Sequence, residues 1–123
     1  MGINSTEVSY GFGQMGSVFN DTVSAITPPT GKVFVAIQFL TNTTLNATNG
    51  LVADNDAAAG LEYIGDTTAA HDATVGSGET TSTGGGGKAI DASNTFPKGM
   101  TIYGRWTKIT TVTSGSYIAY IGD

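Results

Sequence analysis

The sequence predicts an all-β fold: a single small antiparallel β-sandwich or barrel with an extended N-terminal arm and a long Gly-rich loop. Three observations predict it. Thr, Val and Ile are abundant while the strong helix formers Leu, Glu, Lys and Arg are scarce, and β-branched residues suit a pleated, half-buried surface. Several short apolar runs are separated by Gly, Pro, Asn and Ser clusters without helical spacers, the pattern of sandwiches and barrels. Finally, 123 residues match one ordinary domain, which buries roughly two thirds of its unfolded surface.

Taken in order, residues 1–16 scatter Ile3, Val8, Tyr10, Phe12 and Met15 among Gly11, Gly13 and Gly16. This reads as an arm that lies on a partner, leaving 17–123 as the β domain. A strand is expected over Val18 to Ile26, stopped by Pro28 and Pro29, with a turn at Thr30-Gly31. Lys32 to Leu40 is the most apolar stretch. Val33, Val35, Ile37 and Phe39 face one way, and Phe34, Ala36 and Leu40 on the other side also avoid water, so this strand is expected at the centre of the sheet, buried on both faces. Short strands follow near 43–53 and 60–65.

Residues 66–87 end in Gly84 to Gly87 and read as a loop whose length points to a functional or pinned segment. Phe96-Pro97-Lys98-Gly99 makes a turn into a long strand from Met100 to Val112. Ile102 and Trp106 lie on one side of it with Gly104 between them. Tyr103, Arg105, Thr107, Ile109 and Thr111 lie on the other. Ser114-Gly115 then fits a tight turn into Ser116 to Ile121, which predicts a C-terminal β-hairpin.

Composition narrows the function. Charged residues are 12% of the chain, about half the roughly 25% usual for soluble proteins. A net charge of −5 argues against nucleic acid, whose phosphates need clustered Lys and Arg. There is no cysteine, hence no disulfide framework, thiolate zinc site or cysteine nucleophile. The run from Val33 to Leu40 is far shorter than the 18 or more apolar residues of a membrane span and is interrupted by Gln38, so no membrane association is expected. No basic segment followed by an apolar stretch marks a secretory leader.

Apparent catalytic motifs fail on specific grounds. Gly11-Phe12-Gly13-Gln14-Met15-Gly16 spells the dinucleotide fingerprint, which works only where a helix follows and receives the pyrophosphate. Gly84 to Gly87 before Lys88 falls short of a phosphate loop: Ser82 stands where the first glycine is needed, and Ala89 follows the lysine. His71 is the only histidine, and the adjacent Asp72 does not by itself orient its ring. Asp54-Asn55-Asp56 opens like a calcium loop but lacks the invariant glycine and the closing Glu, which leaves only an irregular ion site near Asp54 and Asp56 to consider. No catalytic residue, cofactor or metal ligand is therefore assigned, and the chain is not expected to be an enzyme.

Lys88, Lys98, Arg105 and Lys108 make the C-terminal third basic while residues 51–80 are acidic, an asymmetry that can steer head-to-tail contacts or simply be solvated. Asn4, Asn20, Asn42 and Asn46 each begin an N-x-S/T triplet, as chance produces in a chain this rich in Asn and Thr. The most distinctive stretch is Tyr103-Gly104-Arg105-Trp106, since Tyr, Trp and Arg are favoured at interface hot spots. Tyr10, Phe12, Met15, Tyr103, Arg105 and Trp106 are therefore the candidate protein-contact residues. The alternative reading makes Trp106 a core residue with Arg105 at the surface.

Phe96-Pro97-Lys98-Gly99-Met100-Thr101-Ile102-Tyr103-Gly104-Arg105-Trp106, with the Thr-rich strand and the short Tyr/Ile strand after it, resembles small virion structural proteins of tailed bacteriophages, those of marine and cyanobacterial phages above all. The resemblance covers residues 96–123. It implies a capsid decoration or cement protein on the outer capsid surface, often a homotrimer, with the major capsid protein and copies of itself as partners. Two other settings fit a contact-making β domain: a tail-fibre receptor- or carbohydrate-binding module, and a tail or baseplate structural subunit. A saccharide reader would present Trp106 or tyrosines as an exposed platform.

Overall fold

Alternation of apolar residues with period two is what a strand needs to bury one face, and the expected all-β class is found. A computed structural model describes residues 15–54, 63–66, 90, 92–113 and 115–123. Seven strands are present among them: β1 (Ser17–Asn20), β2 (Val33–Phe39), β3 (Thr43–Thr44), β4 (Leu51–Ala53), β5 (Thr95–Phe96), β6 (Thr101–Ile109) and β7 (Tyr117–Gly122). There is no helix among the described residues. Five strands form one sheet in the order β1-β7-β2-β6-β4, β3 and β5 form a second, and neither closes on itself. All pairings are antiparallel.

The doubly apolar run takes the central place its composition requires, with β7 on one side of β2 and β6 on the other. One face of the sheet carries Val18, Ala119, Ile37 and Ile102 as a continuous rung through β1, β7, β2 and β6. This face turns inward, onto a core that includes Phe34, Phe39, Leu45, Leu51, Trp106, Ile109 and Tyr117. The two-stranded sheet closes over part of it, where the Phe39 and Phe96 rings stack with centroids 4.8 Å apart. The Pro97 turn brings this about: the Met100 amide donates to the Pro97 carbonyl, and the Gly99 amide, at φ 90°, donates to the Phe39 carbonyl.

The structure corrects several sequence expectations. β1 stops at Asn20 rather than running to Ile26, because the Asn20 Oδ1 accepts from both the amide and the hydroxyl of Thr22. That local bond competes with the strand ladder. Ile26 returns only as an isolated bridge to Ile109. Of the strand expected near 60–65, residues 60–62 lie outside the described residues and the segment from Tyr63 to Asp66 is not a strand. It is a docked segment in which Gly65 passes so close to β4 that an added Cβ would lie 2.7 Å from the Leu51 carbonyl oxygen.

The C-terminal hairpin is also absent: β2 lies between β6 and β7, which are consequently parallel to each other. The chain leaving β6 is taken up elsewhere. Ile109 exchanges backbone hydrogen bonds with Ile26, Thr110 donates to Gly50 and accepts from Asn46, and Val112 donates to Thr44. The chain then enters β7 beside Leu40, whose amide donates to the Ser116 carbonyl. Ile109, expected opposite Trp106, shares the core with it. The pairing shifts between Val52↔Lys108 and Ala53↔Trp106, leaving Thr107 as an extra residue, and such a bulge reverses the facing of every residue beyond it.

At the base of β1, the Asn20 Nδ2 donates to the Tyr117 hydroxyl at 2.9 Å inside the protein. Burial raises the Tyr117 pKa above its ordinary value, opposed by the Asn20 hydrogen bond. The folded state therefore holds this proton more tightly than the unfolded state. The resulting contribution is complete below about pH 10, the ordinary tyrosine pKa, and falls away as pH rises towards the folded value. Tyr117→Phe is expected to flatten the alkaline decline in stability above about pH 10 in urea titrations; an unchanged slope would refute this assignment. The same bond, with a second from Nδ2 to the Ser24 carbonyl, occupies the amide nitrogen that glycosylation of Asn20 would need.

Candidate functional site

Strand alternation and one glycine sort the Tyr103-Gly104-Arg105-Trp106 stretch. Trp106 is 0% exposed and its Nε1–H donates to the Ile64 carbonyl at 2.8 Å. Its ring lies over Gly104, where a Cβ would meet the indole Cζ2 at 2.6 Å. Trp106 is thus withdrawn from the set of outward contacts. Arg105 is partly exposed but engaged within the chain, donating to the Asp54 carboxylate at 3.2 Å and to the Asp123 carbonyl. Lys32 joins the cluster through the Asp123 side chain. Partly exposed pairs of this kind contribute little, about 0–1 kcal/mol, but they occupy the guanidinium. Tyr103 is the most exposed of the four, at 62%.

Met15 is 43% exposed, whereas Tyr10 and Phe12 lie outside the described residues, as do His71, Asp56 and Gly84 to Lys88. Asp54 is committed to Arg105. Asp66 is buried, and its Oδ2 accepts from the Leu51 amide, so it serves the edge of β4. No group of three or more His, Cys, Asp or Glu side chains stands together among the described residues. Gly16, the last glycine of the fingerprint, leads directly into β1, not into the helix that pyrophosphate binding requires.

The outward face of the five-stranded sheet holds what the sequence did not announce. Two rungs cross four strands. One runs Ser17, Tyr120, Ala36, Tyr103, and the next runs Phe19, Ile118, Gln38, Thr101. Phe19, on the edge strand β1, is 59% exposed. Between β7 and β6 the face sinks into an open groove of about 330 Å³ lined by Ala36, Gln38, Thr101, Tyr103 and Tyr120. Ala36 is the floor: although it faces outward, it is only 2% exposed because a tyrosine is paired with it on each side.

Sequence reasoning reached Tyr103 but not its companions. The one signal for them is Gln38, a polar residue interrupting the most apolar run. Tyr120 had no such mark, since a hairpin would have put β7 directly beside β6 with no floor between the two tyrosines. Comparisons with family models, curated proteins and solved structures find no match to this chain.

Proposed function

We propose that the chain is a non-catalytic structural subunit of a phage particle: a capsid decoration or cement protein that sits on the outer capsid surface, self-associates as a homotrimer and stabilises contacts between major capsid subunits. The observation that carries this reading is Phe19, a large apolar side chain 59% exposed on an edge strand. Edge strands with exposed apolar groups template association unless a partner covers them, and Met15, 43% exposed just before the same strand, extends the patch. The setting is the one implied by the resemblance read from residues 96–123. A low charged fraction, 12%, fits a surface that is largely covered in the assembly. The architecture proposed with it is a sandwich rather than a barrel, the β3–β5 ribbon forming the second layer through the Phe39 and Phe96 stack.

Phe19→Ser tests the reading. Loss of a central aromatic contact costs about 2 kcal/mol or more of binding, roughly thirtyfold. Titration of decoration-free phage capsids should show that loss, while urea unfolding moves by less than about 0.5 kcal/mol because the side chain is mostly exposed. Undiminished occupancy by the variant would sink the proposal. The receptor- or carbohydrate-binding reading has its own observation in its favour, the tyrosine-walled groove.

A further inference from the structure

We infer that the groove over β2 is a binding site for a neutral saccharide, with a pyranose ring lying across Tyr103 and Tyr120 and its hydroxyls directed to Gln38 and Thr101. This goes beyond the assembly role and does not depend on it.

The geometry comes from the central position of β2. Tyr103 and Tyr120 both pair with Ala36, from opposite sides. Their backbones are therefore two strand spacings apart, about 9.5 Å. The two tyrosines cover Ala36, which is only 2% exposed, so a sugar ring lies across their outer faces, where Tyr103 is 62% exposed. An aromatic face is electron-rich and attracts the weakly positive C–H groups on the flat side of a sugar ring. A sugar also needs partners that both donate and accept, which the Gln38 amide and the Thr101 hydroxyl do. The Gln38 side chain has no hydrogen bond to another described residue, so ligand hydroxyls replace water there without breaking a protein contact.

The lining also excludes other ligand classes. None of its five residues is charged, so an ionic ligand entering it loses hydration with no counter-charge to replace it. An extended peptide cannot pair with the floor, because β2 is hydrogen-bonded along both edges. The opening is broad and shallow, whereas apolar small molecules are held by enclosure. What remains is a ligand that offers apolar faces and many neutral hydroxyls at once.

Buried Trp106 faces the core, so its fluorescence is not expected to report binding. The test is an amide NMR titration of the full chain with maltose, cellobiose, lactose and N,N′-diacetylchitobiose. At least one sugar is expected to produce saturable shifts in the Gln38 side-chain amide and in the backbone of Ala36 and Thr101. Tyr103→Ala should weaken that sugar tenfold or more, Tyr103→Phe should retain most of the affinity by keeping the ring, and Phe19→Ser should bind normally. The inference is overturned if none of the four sugars shifts the Gln38 amide, or if Tyr103→Ala binds as well as the parent chain. It is equally overturned if Tyr103→Ala instead changes the sedimentation coefficient, which would mean that a second copy covers the groove. Because Phe19→Ser reports capsid docking and Tyr103→Ala reports the groove, failure of either reading leaves the other decided on its own data.

Discussion

Trp106→Ala is expected to lower stability by about 4 kcal/mol, most of the total for a protein at the lower end of the usual range of roughly 5–15 kcal/mol. Three effects add. The fully buried indole loses its transfer free energy, the space between β2, β4 and the 63–66 segment becomes a cavity, and the Ile64 carbonyl loses the Nε1–H donor it accepts from at 2.8 Å. Trp106→Phe keeps much of the volume but not the donor, so about half that loss is expected. The chain has one tryptophan, so unfolding is best followed by circular dichroism in urea. A loss below about 1.5 kcal/mol for Trp106→Ala would place the indole outside the core. The effect also reaches function through structure: Trp106 anchors the inner side of the strand whose outer side presents Tyr103.

Gly50→Ala is the second large effect, and it works by overfilling. A Cβ at Gly50 would lie 1.9 Å from the Asn46 carbonyl oxygen and 2.6 Å from the Asn46 nitrogen, both backbone atoms that no rotamer change can move. The neighbouring chain has little freedom to yield. Asn49 already sits at φ 60°, the Gly50 carbonyl accepts from the Thr110 amide at 2.9 Å, and the next residue, Leu51, accepts from the Asp66 amide. Relieving the overlap means displacing β4 from β6, and a loss of about 3 kcal/mol or more is expected. Gly31→Ala is the useful control. Its surroundings are open, so only its φ of 81° opposes the change, at about 1 kcal/mol. If Gly50→Ala proves no worse than Gly31→Ala in urea unfolding, the tight turn over residues 46–50 is wrongly described.

The contact residues divide according to how far each depends on pairing. The alternation that put Ile102 and Trp106 on one side of β6 and Tyr103 and Arg105 on the other was readable, since it needs only period two and no bulge between 102 and 106. The fate of Ile109 was not, because the bulge at Thr107 depends on β4 lying alongside. Arg105 was legible as a surface cation, but Asp54 and Asp123, which engage it, are distant in sequence and meet it only through the sheet. The groove was the least legible feature, for each of its residues reads alone as an ordinary strand position.

By itself the sequence determined the β class, the central place of the most apolar strand, the Pro97 turn and the separation of Trp106 from Tyr103 and Arg105 on opposite faces of β6. These follow from local chemistry: β-branched content, unbroken apolarity over one strand length, fixed proline φ, and side-chain alternation. Only the tertiary structure decided that β2 separates β6 from β7, and with it that Tyr103 and Tyr120 flank Ala36 rather than each other. Strand order depends on which segments compete for the same backbone donors and acceptors. Here Gly50, Thr44 and Ile26 capture the chain beyond Thr107, and the turn that would have made a hairpin never forms.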